Sequence, residues 1–416
     1  MNNSNKLLYQ CRVDTNEEGD NFVGIRSDGE TIEVCFPLGY NLGDTQEEQK
    51  KDIQTLIRVL SRFSSSKEKL LPQMLIQDKK TVNFPIQAYL SILEDYYSRG
   101  GYYTEAESVY RTNSKRPTHW PKTIRQKRPY PQDGSFVYLA TIARETVVDS
   151  SNIITKINQF CVNEAWEKIG WLFTSTPPQK SSIVFQEHLF IAALREKLAQ
   201  TNNEKNKILI SSMIEMISYL GKNKENKRFY YGTAFFEHVW ERLIDFNFGI
   251  RNKEDYFPKT AWYLGNGDKR VNSALEPDTI MLANGKVFIL DAKYYRFGAT
   301  AVPSDLPMST SINKQITYGE YVATEDKFKN QCGISPTVYN VFLMPYDSTS
   351  LPFKTGRTMY RVGEARGDWK KSGAEYEKVQ GVLLDIKWLM QRAVRQNPKD
   401  INTLAQLVEN EFTVIS

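Results

Sequence analysis

The chain has 416 residues, of which 40% are hydrophobic and 25% charged, and its net charge is +5. This length predicts two or three domains, and the composition is that of a folded globular protein rather than a disordered or fibrous one. No run of about 18 apolar residues occurs, so we expect no membrane span. Residues 1–6 lack the apolar stretch of a signal peptide, so we expect a cytoplasmic location.

Cysteine and histidine are too few and too scattered for the common zinc sites. No CxxC, HxH or HExxH spacing occurs, and zinc sites and histidine-based metal catalysis need such spacings. The cysteines are therefore interpreted as buried free thiols. The residues concerned are Cys11, Cys35, Cys161, Cys332, His119, His188 and His238.

The first hundred residues (1–100) are predicted to form a small β-rich domain with helices. Residues 22–36 read as a β-hairpin around the turn signal Ser27-Asp28-Gly29. Apolar residues at helical spacing predict one helix over 53–60 and another over 85–97.

A basic window follows. No acidic residue occurs between Glu107 and Asp133, and its four prolines favour loops and extended segments over one long helix. The window is either a solvated loop or a phosphate-binding surface, because each Lys or Arg can neutralise a phosphate and release a counterion. Its candidate DNA-binding residues are Lys115, Arg116, Lys122, Arg125, Lys127 and Arg128.

The rest of the chain is predicted to comprise a helical middle region (101–225) and a third domain (226–416). The third domain has the element order helix, strands, helix and strand, which is typical of the α/β (α+β) class. The predicted helices are 153–173, 182–199, 207–220, 232–246, 312–323 and 401–412, and the predicted strands are 279–282, 287–291, 337–344 and 379–386.

Asn284-Gly285 is the centre of the most informative segment. This dipeptide is a strong signal for a two-residue hairpin turn, so the strands on either side of it should pair in antiparallel fashion. That pairing would bring Asp278, before the first strand, opposite Asp291, at the end of the second. Side chains alternate along a strand, so Asp291 and Lys293 should share a face.

Two carboxylates and a lysine in this arrangement suit phosphodiester hydrolysis with Mg²⁺. Asp278, Asp291 and the backbone carbonyl of Ala292 would supply hard oxygen ligands, which Mg²⁺ requires. Lys293 would orient or deprotonate the attacking water, or offset charge on the phosphorus. The alternative is a surface hairpin with an ordinary ion pair. A second D-x-K, Asp385-Ile386-Lys387, has no Pro-Asp before it and is interpreted as a chance match without a catalytic role.

A third acidic ligand is expected from the helix before these strands. Glu237 adjoins two phenylalanines on an apolar face, which is unfavourable unless the carboxylate is paired or binds a ligand. Glu241, one turn later, is its rival, and an ordinary surface carboxylate is the alternative. Downstream, Gln315 and Tyr318 share a helix face, where they would order the site or touch DNA, or serve packing alone.

At these residues the chain resembles the PD-(D/E)xK nuclease superfamily. It is similar, more narrowly, to the LlaJI family of restriction endonucleases, to McrC-type nuclease subunits and, within the family, to BsuMI-type components. The narrower resemblance rests on Phe36-Pro37-Leu38-Gly39-Tyr40 and Trp120-Pro121-Lys122-Thr123-Ile124, although the glycine expected before Trp120 is missing. The catalytic residues that the resemblance implies are Glu237, Asp278, Asp291, Lys293 and Gln315.

The resemblance implies a C-terminal restriction-endonuclease-like domain that cleaves double-stranded DNA with Mg²⁺. It also implies a bacterial restriction system, type II-like or McrBC-like, in which an McrB-like AAA+ GTPase is the partner. The chain has no G-x-x-x-x-G-K-[ST], so it is not that motor. A repair or recombination nuclease with the same catalytic residues, and a DNA-binding adaptor without turnover, are the alternative functions.

Overall fold

The computed structural model describes residues 9–16, 21–63, 82–149, 152–173, 176–180, 183–223 and 228–410. The strands in this part of the chain are β1 (Tyr9–Val13), β2 (Val23–Ser27), β3 (Ile32–Phe36), β4 (Val82–Asn83), β5 (Glu105–Thr112), β6 (Tyr130–Gln132), β7 (Ser135–Val137), β8 (Ile142–Asp149), β9 (Phe229–Thr233), β10 (Ala261–Tyr263), β11 (Lys269–Val271), β12 (Thr279–Ala283), β13 (Lys286–Ala292), β14 (Val338–Tyr346), β15 (Met359–Arg366) and β16 (Lys378–Asp385). The α-helices there are α1 (Gln46–Phe63), α2 (Ile86–Arg99), α3 (Trp120–Gln126), α4 (Ile153–Ile169), α5 (Glu187–Gln200), α6 (Glu204–Lys222), α7 (Phe236–Phe248), α8 (Phe297–Thr300), α9 (Ser309–Thr324), α10 (Ile386–Gln391) and α11 (Pro398–Glu409).

The chain forms two compact units. The first unit combines residues 1–83 with 226–416, and the second unit is 84–225. This division differs from the three consecutive domains expected from the sequence (1–100, 101–225 and 226–416). The physical reason is strand pairing, because β9 adds to the N-terminal sheet and so ties the two ends of the chain into one unit.

The N-terminal sheet of the first unit has the strand order β1-β3-β2-β9-β4. The antiparallel pairing of β2 with β3 confirms the predicted hairpin. β9, whose five residues are all buried, was not predicted. It directly precedes the amphipathic helix α7. Its sequence has no alternation of apolar and polar residues that would indicate a strand.

The second sheet of the first unit carries the candidate site. Its strand order is β12-β13-β14-β16-β15, in which β13, β14 and β16 run parallel and both edge strands are antiparallel to their neighbours. Helices α7 and α9 pack against it. Ile280 and Ile289 of the sheet form a buried cluster with Tyr318 and Val322 of α9. The mixed helix and sheet content confirms the predicted α/β (α+β) class.

The second unit is built from helices and two β-hairpins. Helices α2, α4, α5 and α6 pack together, while β5 pairs with β8 and β6 with β7. The helices confirm the predicted helical region, and α2 ends at Gly100, whose positive φ of 71° suits glycine. The proline-rich stretch contains the short helix α3 and the strand β6, so it forms no long helix, as its prolines predict. The polar run 221–227 predicts a linker, and residues 224–227 of it lie outside the described residues.

Two further sequence expectations concern burial. Cys35 and Cys161 are buried free thiols as predicted, but Cys11 is half-buried and Cys332 is exposed, so the prediction was wrong for these two. Among the described residues, no helix has the length and apolar content to cross a membrane.

Candidate active site

The β12–β13 hairpin is the framework of the candidate site. Asn284 and Gly285 form its turn with positive φ angles of 53° and 70°, and Thr279 pairs with Leu290. Asp278, one residue before Thr279, therefore lies across from the end of β13. The backbone N–H of Ala292 donates a hydrogen bond of 2.9 Å to Oδ2 of Asp278, so the two strand ends are held together by the carboxylate itself.

Asp291 and Lys293 form an ion pair at the end of β13. The Nζ atom of Lys293 lies 2.7 Å from Oδ2 of Asp291, and these side chains are 18% and 8% exposed. Burial lowers the effective dielectric around the pair, which strengthens the attraction and makes either charge costly without the other. The prediction that both side chains project to one face is confirmed.

Asp278 and Asp291 crowd each other. Burial of its carboxyl group, and then the charge of Asp291, raise the pKa of Asp278 to about 7, although the N–H of Ala292 opposes this rise. Two carboxylates at close range favour a proton or a cation between them, because like charges cannot both remain uncompensated in a buried site. The arrangement can therefore bind a positive charge.

Helix α7 brings two glutamates toward this pair. Burial raises the pKa of Glu241, and the nearby charges of Asp291 and Glu237 raise it further. The charge of His238 lowers this pKa and so opposes the rise. Glu241 in turn raises the pKa of Asp278. Glu237 lies one helical turn earlier, where its charge acts on Glu241 and on Tyr294. Glu241 thus interacts electrostatically with both aspartates.

Gln315 supports the strand that carries Asp291. Its side chain is 1% exposed, and Nε2 donates a hydrogen bond of 2.7 Å to the backbone oxygen of Ile289. Tyr318, on the same face of α9, donates from its hydroxyl to the backbone oxygen of Glu276 at 3.3 Å. Both side chains thus tie α9 to the segments that carry the aspartates.

Lys314 is a neighbour of the site that sequence reasoning missed. Burial alone would lower its pKa, but Tyr318 and the charges of Asp291 and Asp278 raise it. Its ammonium group lies 5.5 Å from the ring centroid of Tyr318. The signal in the sequence was its i,i+4 spacing to Tyr318, which places both on one helix face.

The donor set suits a hard divalent cation. Among the residues that the structure describes, no three His, Cys, Asp or Glu side chains are grouped to hold a metal ion. Mg²⁺ is nevertheless commonly held by one or two carboxylates with water and substrate oxygens. The crowded pair Asp278 and Asp291 meets that requirement. The predicted contributions of the Ala292 carbonyl and of Glu237 stay predictions.

The whole chain was compared with known proteins. The sequence model of the LlaJI restriction endonuclease family matches residues 22–359. The chain belongs to the LlaJI restriction endonuclease family. The resemblance to the LlaJI family noted in the sequence is thereby confirmed, and this LlaJI-family protein is a restriction nuclease. The matched span includes the β12–β13 hairpin, α7 and α9.

Comparison with individual proteins gave similar chains among the solved structures and no curated relative. The LlaJI-family chain is similar to a chain of the refined half-complex from a tetradecameric assembly of Thermococcus gammatolerans McrB AAA+ hexamers with bound McrC, with 12% sequence identity, a TM-score of 0.32, and coverage of 90% of this chain and 82% of that chain. No curated protein matches.

The segment Phe36-Pro37-Leu38-Gly39-Tyr40 of the LlaJI-family chain packs beside the site. The backbone N–H of Leu38 donates a hydrogen bond of 2.6 Å to the hydroxyl of Tyr294, the residue after Lys293. Gly39 has a φ of +75°, and a Cβ there would lie 3.0 Å from the Cα of Tyr346. The segment therefore needs glycine to approach this closely, and its contact fixes the end of the D-x-K strand.

The second D-x-K of the LlaJI-family chain has a structural role. Asp385 caps helix α10 by accepting a hydrogen bond of 2.8 Å from the backbone N–H of Trp388, and it also binds Ser348. Lys387 forms an ion pair of 2.9 Å with the buried Asp52. Asp385 and Lys387 are thus engaged with different partners, whereas Asp291 and Lys293 bind each other.

The basic window of the LlaJI-family chain lies in the second unit. Thr123 is buried and accepts a hydrogen bond of 2.9 Å from the N–H of Ile142, which anchors α3 to β8. Trp120 is 53% exposed, and Lys122 lies 3.4 Å from the ring centroid of Tyr110. The candidate DNA-binding side chains are all accessible. Lys115, Arg116, Arg125 and Arg128 are exposed, and Lys122 and Lys127 are half-buried.

Proposed function

We propose that this chain is the Mg²⁺-dependent endonuclease subunit of a bacterial restriction system, that it hydrolyses DNA phosphodiesters at a PD-(D/E)xK site, and that it acts with an McrB-like AAA+ GTPase. The observation that carries the proposal is the side-by-side placement of Asp278 and Asp291, with Lys293 paired to Asp291, in a chain of the LlaJI restriction endonuclease family.

The two aspartates are the proposed cation ligands. Asp278 and Asp291 would hold Mg²⁺ together with the carbonyl of Ala292 and one carboxylate of α7, either Glu237 or Glu241. A bound divalent cation would supply Lewis-acid stabilisation of the charge that develops on the phosphate. The position of Asp278 supports this assignment, because burial and then the charge of Asp291 raise its pKa, and a cation between the two carboxylates would relieve both effects.

Lys293 is the proposed partner of the attacking water. Its ammonium group, already held by Asp291, can donate a hydrogen bond to that water and offset charge on the phosphorus as the bond to the leaving oxygen breaks. Gln315 holds the strand beneath it through Ile289. Lys314, whose pKa is raised by Tyr318 and by the charges of both aspartates, would supply a second positive charge beside the site.

The basic window is proposed to contact the DNA backbone. Its lysines and arginines are accessible, and no acidic residue between Glu107 and Asp133 offsets them. Contacts of this kind are independent of base sequence and depend strongly on salt. The basic window would therefore give the second unit affinity for DNA without specificity for a base sequence.

An McrB-like GTPase is the proposed partner. The chain contains no phosphate-binding G-x-x-x-x-G-K-[ST] loop and cannot itself hydrolyse a nucleotide by that route. Family membership and the resemblance to McrC-type subunits support a separate motor that selects the DNA site.

Plasmid cleavage in Mg²⁺ tests the proposal. Wild type is compared with Asp291→Ala and Lys293→Ala, each with and without a co-expressed McrB-like partner. Lys387→Ala is the matched control, because it removes the lysine of the other D-x-K and that lysine's ion pair with Asp52.

We expect cleavage by the wild type and by Lys387→Ala, and none by the two site variants or in the presence of a chelator. Cleavage that persists in both site variants would make the hairpin a structural element. Tight DNA binding without any cleavage by the wild type and its partner would favour a DNA-binding adaptor.

A further inference from the structure

A two-stranded ribbon in the first unit has no part in the site described above. β10 pairs with β11 so that Trp262 faces Arg270 and Tyr263 faces Lys269. Backbone hydrogen bonds of 2.9 Å, from Asn272 to Thr260 and from Leu275 to Pro258, extend the pairing beyond the two strands. The ribbon therefore runs down to a base only three residues before Asp278.

The ribbon exposes large apolar side chains on both faces. Trp262 is 64% exposed, Tyr263 75% and Val271 57%. Successive side chains of a strand point to opposite faces, so the two aromatic rings lie on different sides of the ribbon. An isolated two-stranded hairpin is only marginally stable. The two aromatic rings are largely exposed and therefore add little to the stability of either face. This pattern marks an interaction surface.

Each face of the ribbon combines an aromatic ring with a cation. Trp262 stands opposite Arg270, and the ammonium group of Lys269 lies 5.0 Å from the ring centroid of Tyr263. Lys259 adds a third cation near the base, while Asp268, in the turn, is engaged by the side-chain amide of Asn266 at 2.7 Å. Cations interleaved with aromatic rings fit a polyanion that also offers flat apolar bases.

The position of the ribbon makes DNA the fitting polyanion. Three residues of chain span at most about 11 Å, so the base at Leu275 lies within that distance of Asp278. DNA whose phosphate is bound at Asp278 must therefore pass the base of the ribbon. The major groove is about 12 Å wide and admits a two-stranded β-ribbon.

We propose that the β10–β11 ribbon enters the major groove of double-stranded DNA beside the cleaved phosphate. The aromatic ring on the face turned to the groove floor, Trp262 or Tyr263, contacts base edges, including thymine methyl groups, and Lys269 and Arg270 neutralise phosphates. The inference rests on the proposed nuclease function and identifies a part of the first unit that binds the DNA substrate.

Binding of a duplex oligonucleotide tests the ribbon in the full-length chain. The variants Trp262→Ala/Tyr263→Ala and Lys269→Ala/Arg270→Ala are made in a cleavage-deficient Asp291→Asn chain, so that the DNA stays intact. Affinity is measured over a range of salt concentrations. Trp369→Ala/Lys371→Ala, an exposed aromatic and cation elsewhere in the first unit, is the matched control.

We expect the aromatic variant to bind roughly tenfold more weakly with an unchanged salt slope, because it removes base contacts. The charge variant should flatten the slope of log K against log salt by about one unit for each phosphate that it no longer neutralises. Control variants should bind as the Asp291→Asn chain does. Unchanged affinity and slope in both ribbon variants would overturn the inference, as would weakened binding of the GTPase partner with normal DNA binding.

The outcome for the ribbon can be separated from that for the nuclease site. Failure of the nuclease assignment appears as plasmid cleavage that survives Asp291→Ala, or as absent cleavage by the wild type with its partner. Failure of the ribbon alone leaves wild-type cleavage dependent on Asp291 while the ribbon variants bind DNA as the Asp291→Asn chain does.

Discussion

The Nζ atom of Lys293 lies 2.7 Å from Oδ2 of Asp291, at the end of a strand whose last residues are buried. Asp291 therefore holds the lysine at the edge of the site before any substrate arrives.

Lys293→Ala should lower the rate of DNA cleavage by about 100-fold or more, because it removes the group that positions the attacking water. It should also reduce the free energy of unfolding by about 1–3 kcal/mol, since Asp291 then lies buried with an unpaired charge. Cleavage kinetics and urea unfolding measure the two effects. Wild-type cleavage by this variant, once corrected for folded protein, would remove Lys293 from the catalytic set.

Glu237→Gln and Glu241→Gln should differ in their effect on cleavage. Glu241 is in electrostatic contact with Asp278 and Asp291, so its loss should lower the rate by at least about tenfold at limiting Mg²⁺. Excess Mg²⁺ should restore part of that loss if the residue is a ligand. The Mg²⁺ dependence of the cleavage rate makes the comparison. A larger loss of cleavage rate in Glu237→Gln than in Glu241→Gln would instead assign the ligand role to Glu237, the residue first indicated by the sequence.

Gln315→Leu should destabilise the first unit by about 1–3 kcal/mol, because the buried carbonyl of Ile289 loses its hydrogen-bond donor. Leucine has a similar volume, so the loss of packing is small. Thr317→Ala, exposed on the same helix, is the control and should change stability by less than about 0.5 kcal/mol. Urea unfolding gives both values, and equal stability of the two variants would contradict the role of Gln315.

Replacing the basic window with alanine should weaken DNA binding. The quadruple variant of Lys122, Arg125, Lys127 and Arg128 should flatten the slope of log K against log salt by about one unit for each phosphate left without its cation. The control removes four cations elsewhere in the second unit, all of them exposed: Lys156, Lys180, Arg195 and Lys205. A slope equal to that of the control would assign the window to partner binding.

Glu164→Gln should stabilise the protein at neutral pH. Burial raises the pKa of Glu164 in the folded chain, so the folded state favours the protonated carboxyl and is destabilised by its ionisation. The wild type therefore loses this stability as the pH rises through the folded pKa, while the glutamine variant does not. Below the unfolded pKa of about 4.3 the two proteins should be equally stable.

Urea unfolding at acidic and neutral pH checks this last expectation. Glu167→Gln is the control, because Glu167 is an exposed carboxylate on the same helix. A difference between Glu164→Gln and wild type that stays constant across the pH range would show that the effect does not come from ionisation.

The chemistry of the site was readable in the sequence because it depends on local geometry. An Asn-Gly turn fixes the register of the two strands beside it, so the separation of Asp278 and Asp291 along the chain determines that they meet. The alternation of side chains along a strand then sets Lys293 on the side of Asp291. Helices α7 and α9 were likewise visible from their apolar periodicity.

Only the tertiary structure decided which distant residues join these local elements. How Glu237 and Glu241 lie relative to the aspartates depends on the position of α7 along the sheet, because the two glutamates share one helix face and differ by one turn along the helix axis. The bond from Gln315 to Ile289 requires α9 to pack on β13. The joining of β9 to β2 depends on pairing between residues about 200 positions apart, and no local propensity encodes such a pairing, because backbone hydrogen bonds between strands are the same for every sequence.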